Sequence, residues 1–262
     1  MRLPPVHARL LCFAAIGSLG CAAGAAKTAA PDDASNVARV APGPSGTAGF
    51  ERIPATEQPS VKPGINDPYF RDDGLDRYTR ILESETREIA QRRSDIVDAI
   101  GLDEGMFVAD IGAGTGLLTM EIAKQVGERG MVFAVDIVPA FLERIRERAR
   151  AEGLPNVIAV RGEERATGLE PASLDLAFMC DTYHHIEYPV AYMRSVFETL
   201  RPGAALVLVD MKRPEGQSSP AVLRHVRADK STVIAEVEQA GFLFESERNL
   251  LEENYYLYFR HP

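Results

Sequence analysis

The segment Val108-Ala109-Asp110-Ile111-Gly112-Ala113-Gly114-Thr115-Gly116 constrains this chain more than any other stretch. Met106 to Ile111 is an apolar run of strand length, and Gly116 to Val126 carries apolar residues at helical spacing. The three glycines therefore form a turn between a buried strand and a helix. A strand that is apolar along its whole length needs cover on both faces, the condition met in a parallel sheet. Glycines at alternate positions let a ligand approach the backbone closely at the carboxyl end of the strand, where open α/β sheets bind nucleotide-like molecules. Asp136 closes the next apolar run, Gly130 to Asp136, about twenty residues beyond Gly116, and is placed to accept hydrogen bonds from ribose hydroxyls.

The rest of the pattern continues the alternation. Pro139 to Glu152 reads as a helix with proline in its first turn, and Pro189 to Leu200 as a helix closed by Arg201-Pro202-Gly203. Val157 to Val160, Leu174 to Cys180 and Ala204 to Asp210 are short buried strands. After a helix from Asp229 to Ala240, Phe242 to Arg248 and Tyr255 to Arg260 form two strands whose short connection permits only an antiparallel pair. Ahead of the glycine turn, Ile81, Leu82, Ile89, Ile96, Val97 and Ile100 predict one long or broken helix over Asp76 to Ile100. The expected fold is α/β: a three-layer αβα, Rossmann-like sheet of seven strands, mostly parallel, with an antiparallel C-terminal strand.

The glycine spacing is G-x-G-x-G, not the dinucleotide G-x-G-x-x-G, and Asp110 stands two residues before the first glycine. A carboxylate there repels a pyrophosphate and favours a ligand bearing an ammonium or sulfonium group.

On these motifs, with Ala134-Val135-Asp136-Ile137, Leu174-Asp175-Leu176-Ala177-Phe178 and Leu200-Arg201-Pro202-Gly203-Ala204, the region from about Asp67 onward resembles the class I S-adenosylmethionine-dependent methyltransferases. The resemblance is to the branch containing the quinone-biosynthesis C-methyltransferases. It implies S-adenosyl-L-methionine as cofactor and a small-molecule acceptor. It further implies that the backbone at Gly112, Ala113, Gly114, Thr115 and Gly116 packs on the methionine part, and that Asp110 sits near the amino group. Asp136 would bind the ribose diol, Ile137 would pack on adenine, and Glu163 would reach the adenine amine. Asp181-Thr182-Tyr183-His184-His185 follows the fourth strand and would face the methyl group, with Asp181 at the cofactor and His184 or His185 as candidate catalytic groups. Cys180 reads as a packing residue. Lys212, Arg213, Arg224 and His225 follow the fifth strand, either as solvent charges or as contacts to an anionic substrate. No His, Cys or carboxylate set has metal-ligand spacing in the sequence. A non-catalytic cofactor-binding module and a nicotinamide-dependent oxidoreductase remain as alternatives, the latter disfavoured by Asp110 and the glycine spacing.

The first part of the chain has a different composition. Arg2 and Arg9 precede a short apolar run, Leu10 to Leu19, which ends in Ser18-Leu19-Gly20-Cys21-Ala22. That is the pattern of an export signal, too short for the ~20 residues of a permanent membrane span. Residues 1–21 resemble a bacterial lipoprotein leader with Cys21 as the lipidated position, which implies a periplasmic or membrane-anchored protein if the leader is used and a cytoplasmic one otherwise. Residues 22–65, rich in Ala, Pro, Gly, Ser and Thr, read as a disordered tether, and residues 66–262 as the methyltransferase domain with a helical cover over 66–104. A net charge of -9 argues against a nucleic-acid partner, since phosphate binding needs a basic stripe. No obligate protein partner is evident.

Overall fold

The computed structural model describes residues 59–71, 73–213 and 220–262. The expected leader and most of the expected tether lie outside them. Residues 59–65, assigned to the tether by composition, are tied to the domain instead. The Val61 N–H donates to the Glu187 carbonyl at 2.8 Å, and the Ser60 hydroxyl and Gly64 N–H donate to the Glu187 carboxylate at 2.5 and 3.1 Å.

Seven strands form one sheet: β1 (Phe107–Ile111), β2 (Met131–Asp136), β3 (Val157–Arg161), β4 (Leu174–Cys180), β5 (Leu200–Met211), β6 (Leu243–Arg248) and β7 (Asn254–Arg260), in the order β3-β2-β1-β4-β5-β7-β6. The first five run parallel; β7 is inserted antiparallel to both β5 and β6. The strand order reverses between β1 and β4, which lie side by side with Ile111 opposite Met179. Such a reversal opens a crevice beyond the carboxyl ends of the strands.

The apolar strands are covered on both faces, as their composition requires. Val108 packs on one side with Ile96, Val97, Ile122 and Val126. Ala109 and Ile111 turn to the other with Met193, Val196, Val233 and Val237. The helices supplying these residues are α3 (Arg93–Asp98), α4 (Leu117–Val126), α6 (Pro189–Thr199) and α8 (Lys230–Gln239), with α5 (Pro139–Glu152) packed over β2 and β3. The alternating charges of α5 are paired: Arg146 and Arg150 with Glu143, Arg148 with Glu152.

Of the two N-terminal forms expected, long or broken, the broken one is found, and two further details depart from the sequence reading. The N-terminal helix is broken into α1 (Gly74–Leu82), α2 (Glu88–Gln91) and α3, preceded by a 3-10 turn at Asp67–Phe70. The break follows from local competition for backbone groups, since the Ser84 hydroxyl accepts the Thr86 N–H at 3.3 Å. Strand β5 begins at Leu200, not Ala204, because Leu200 pairs with Leu174 while Ala205 pairs with Leu176; the intervening residues are absorbed in an irregularity, and Arg201 reaches back to Asp175. A short helix, α7 (Pro220–His225), follows β5 and has no clear periodic signature.

Candidate cofactor site

The glycine turn is shaped by contacts that only glycine permits. Gly112 has φ 70° and its N–H donates to the Val135 carbonyl at 2.8 Å. A Cβ built on Gly112 would stand 2.2 Å from Thr182 Cγ2, so the turn and the loop after β4 touch backbone to side chain. Gly116, with φ 78°, caps the start of α4, and a Cβ there would meet Ile145 at 3.0 Å. Its absence from the pocket wall follows: Gly116 serves the close approach of α4 to α5, while Gly112, Ala113, Gly114 and Thr115 line the pocket.

Asp136 holds the turn in place. One carboxylate oxygen accepts the Gly114 N–H at 2.8 Å and the other the Val138 N–H at 2.8 Å. A carboxylate offers about four acceptor sites, so these donors leave room for an incoming hydroxyl. Asp110 is 3% exposed and accepts the Thr119 hydroxyl at 2.5 Å. Burial, the leading cause in both cases, pushes both carboxyls up to about 6. At Asp110 the Asp136 charge adds to the rise, and at both sites hydrogen bonds oppose it.

The pocket also receives Ile137, Glu163 and Asp181, all expected from sequence, and His185 of the expected pair. Glu163 is exposed at the rim. Asp181 has φ 48°, a left-handed conformation that Asp tolerates better than most residues, and its carboxylate is clasped by Arg87 and Asn254. Burial and then the Asp210 carboxylate push its pKa up against Arg87. His184 does not line the pocket, because its ring turns away to Asp210, with Nδ1 2.6 Å from the carboxylate. Burial, then the neighbouring His184 and His225, push His185 down to about 2. Cys180 also forms part of the wall, and burial holds its thiol well above the usual range, against nucleophilic use. Lys212 is bonded to the carbonyls of Leu251 and Glu252.

Residues that sequence reasoning missed complete the wall. Tyr69, Leu82, Arg87 and Ile89 come from the N-terminal segment, and Phe141 and Tyr192 from α5 and α6. Arg87 lies just past the break after α1, where no periodic signal could mark it. Tyr69 stacks at 4.0 Å on Tyr78 and places its hydroxyl 3.3 Å from His185 Nε2.

The chemistry of this wall fits a cationic sulfonium nucleoside. Two buried carboxylates, Asp110 and Asp136, line the pocket beside the glycine turn, a wall that repels a pyrophosphate, and the start of α4 faces the same space and favours a carboxylate. A mostly parallel seven-stranded sheet with an inserted antiparallel strand, and a carboxylate-lined glycine turn at its reversal, give this chain the fold of solved S-adenosylmethionine-dependent methyltransferases. The methyltransferase-domain match and an S-adenosylmethionine-dependent structural neighbour support S-adenosylmethionine as the cofactor. Residues 108–203 match the family model of the methyltransferase domain. Over 119 residues the chain is 30% identical to the ubiquinone/menaquinone biosynthesis C-methyltransferase of Yersinia pestis (strain Pestoides F), covering 45% of this chain and 47% of that one. Its counterpart from Salmonella arizonae is 29% identical over the same length. The chain thus spans about half the length of these curated relatives. Among solved structures, an S-adenosylmethionine-dependent methyltransferase from Aquifex aeolicus superimposes with a TM-score of 0.65 at 25% identity, covering 71% of this chain and 98% of that one.

Proposed function

We propose that this chain transfers the sulfonium methyl of S-adenosylmethionine to a small-molecule acceptor bound at the Asp181–His185 end of the pocket. The observation that carries the reading is the Asp136 carboxylate, pegged by Gly114 and Val138 at the lip of a pocket shared with Asp110. When bound, the cofactor supplies an electrophilic methyl group. The protein's part is alignment: the pegged turn and Arg87 fix one reactant, while Tyr69, Tyr192 and His185 wall the space beside it. Alignment of two reactants can supply ~7 to 11 kcal/mol of such a barrier. His185 is neutral at working pH and a weak base, so as a free imidazole it orients an acceptor and does not deprotonate it. Calorimetric titration with S-adenosylmethionine and S-adenosylhomocysteine is expected to show binding of both, followed by turnover in a screen of small acceptors; no binding of either removes the proposal.

The two raised carboxyls add a pH signature. Their folded-state values, about 6, lie above the ordinary 3.8. Without cofactor, the folded protein keeps protons that the unfolded chain has released. Their contribution to stability is therefore full below about pH 3.8 and lost as pH rises through about 6. A cationic ligand prefers the ionised forms and draws both values down. Cofactor affinity is therefore expected to strengthen between about pH 5 and pH 7, with protons released on binding at the acid end. Calorimetry in buffers of different ionisation enthalpy reads that release, and an affinity flat across the window would contradict it.

Export through residues 1–21, with Cys21 as the lipidated terminus, is part of the proposal. The intact mass of the native protein tests it, and a chain still carrying Met1 would remove it.

A further inference from the structure

Folding brings a distant third imidazole to two that are neighbours in the sequence. His184 and His185 lie on the turn after β4, and His225 ends α7. One ring nitrogen of each lies within 4.8 Å of the others. The Nε2 atoms of His184 and His225 face each other at 3.1 Å. In a tetrahedral zinc site with nitrogen ligands at about 2.0 to 2.1 Å, neighbouring ligand atoms stand roughly 3.3 Å apart, so this pair already spans close to one edge of such a tetrahedron.

The surroundings are those of a supported ligand set. His184 Nδ1–H donates to Asp210 Oδ1 at 2.6 Å, and Asp210 Oδ2 accepts the His184 backbone N–H at 3.0 Å. This carboxylate fixes the ring and turns its Nε2 lone pair toward His225, as carboxylates behind metal-bound histidines do. His185 Nδ1 is buried without a hydrogen-bond partner, a costly condition that calls for an explanation. The opposing charge is Lys62, bonded to the backbone carbonyls of Arg224 and His225; Asp210 and Asp181 offset it.

We propose that His184, His185 and His225 form a three-imidazole site for a divalent transition metal of the zinc type, with its remaining position open toward the pocket that His185 lines. A three-histidine set with an open position binds and acidifies an oxygen ligand. That would give the acceptor end the activating group that the free imidazoles do not provide. This last consequence rests on the methyl-transfer reading; metal binding does not. The test is a Co2+ titration of the chelator-stripped full-length protein. One equivalent is expected to produce the intense visible d–d bands of a tetrahedral nitrogen site, displaced by Zn2+. His225→Ala, at an exposed position, is expected to abolish the bands while the thermal melt stays that of wild type, and Asp210→Asn to weaken Co2+ binding by about 10- to 100-fold. Wild-type protein without the bands, or bands unchanged in His225→Ala, overturns the proposal and leaves the His184–His225 contact as a hydrogen bond. S-adenosylmethionine affinity measured on the same samples keeps the two readings separate. Protein that binds Co2+ but no cofactor retains this site and removes the proposed activity.

Discussion

Asp136→Ala is expected to weaken S-adenosylmethionine binding by about 3 kcal/mol, or more than a hundredfold in Kd. Two losses combine. The acceptor for the ribose hydroxyls disappears, at ~1.5 to 3 kcal/mol for hydrogen bonds to a charged group. The peg that holds the Gly114 and Val138 N–H groups disappears with it, so the turn must be ordered at the moment of binding. Asp136→Asn separates the two, because its single carbonyl oxygen can hold one backbone N–H but carries no charge. It is expected to fall between wild type and Ala. Calorimetry on the three proteins checks the series, and wild-type affinity in Asp136→Ala would remove the residue from the site.

The second large effect lies at Gly112. Gly112→Ala places a methyl group 2.2 Å from Thr182 Cγ2 and 2.3 Å from Thr182 Oγ1, at a backbone φ of 70°. The left-handed conformation costs Ala roughly 1 to 2 kcal/mol, and overpacking typically another 1 to 3. For a domain of this size, a loss of about 3 kcal/mol lowers Tm by roughly 10 °C. The added Thr182→Ala substitution deletes the two nearest atoms but leaves Thr182 Cβ's position, 2.8 Å away. The double variant is expected to recover part of the loss and no more, since the backbone strain persists. Thermal melts of the four proteins in the cycle check this; a Gly112→Ala melt equal to wild type would show that the two loops do not meet.

The glycine turn and the strands around it were legible because their determinants are local. Val108 to Ile111 cannot be other than a strand buried on both faces, and Pro139 sets the start of α5 at the residue expected. Asp110, Gly112 to Thr115 and Asp136 could be placed in one crevice because a single β-α-β unit carries them all. For the other wall the sequence marked the covering N-terminal segment but not which of its side chains reach the pocket. Arg87 and Tyr69 reach the pocket only through the packing of an N-terminal segment whose break depends on Ser84 and Thr86. His225 lies 41 residues from its partner His184, on a helix of six residues whose sequence does not distinguish it from a loop. The pair His184-His185 was visible, but which ring faces the pocket is decided by Asp210 at the end of β5, a contact across the sheet.

Strand β7 follows β6 in the chain yet lies between β6 and β5. During synthesis, β5 emerges complete at Met211 while its pairing partner, starting at Asn254, is still to be made. Over that interval the nascent sheet presents an unpaired edge rich in Leu and Val, and β6 has nothing to dock against. The β5 edge is therefore covered only once residues 254–260 have been made, and substitutions that weaken this pairing are expected to lower the soluble yield before they touch the cofactor pocket.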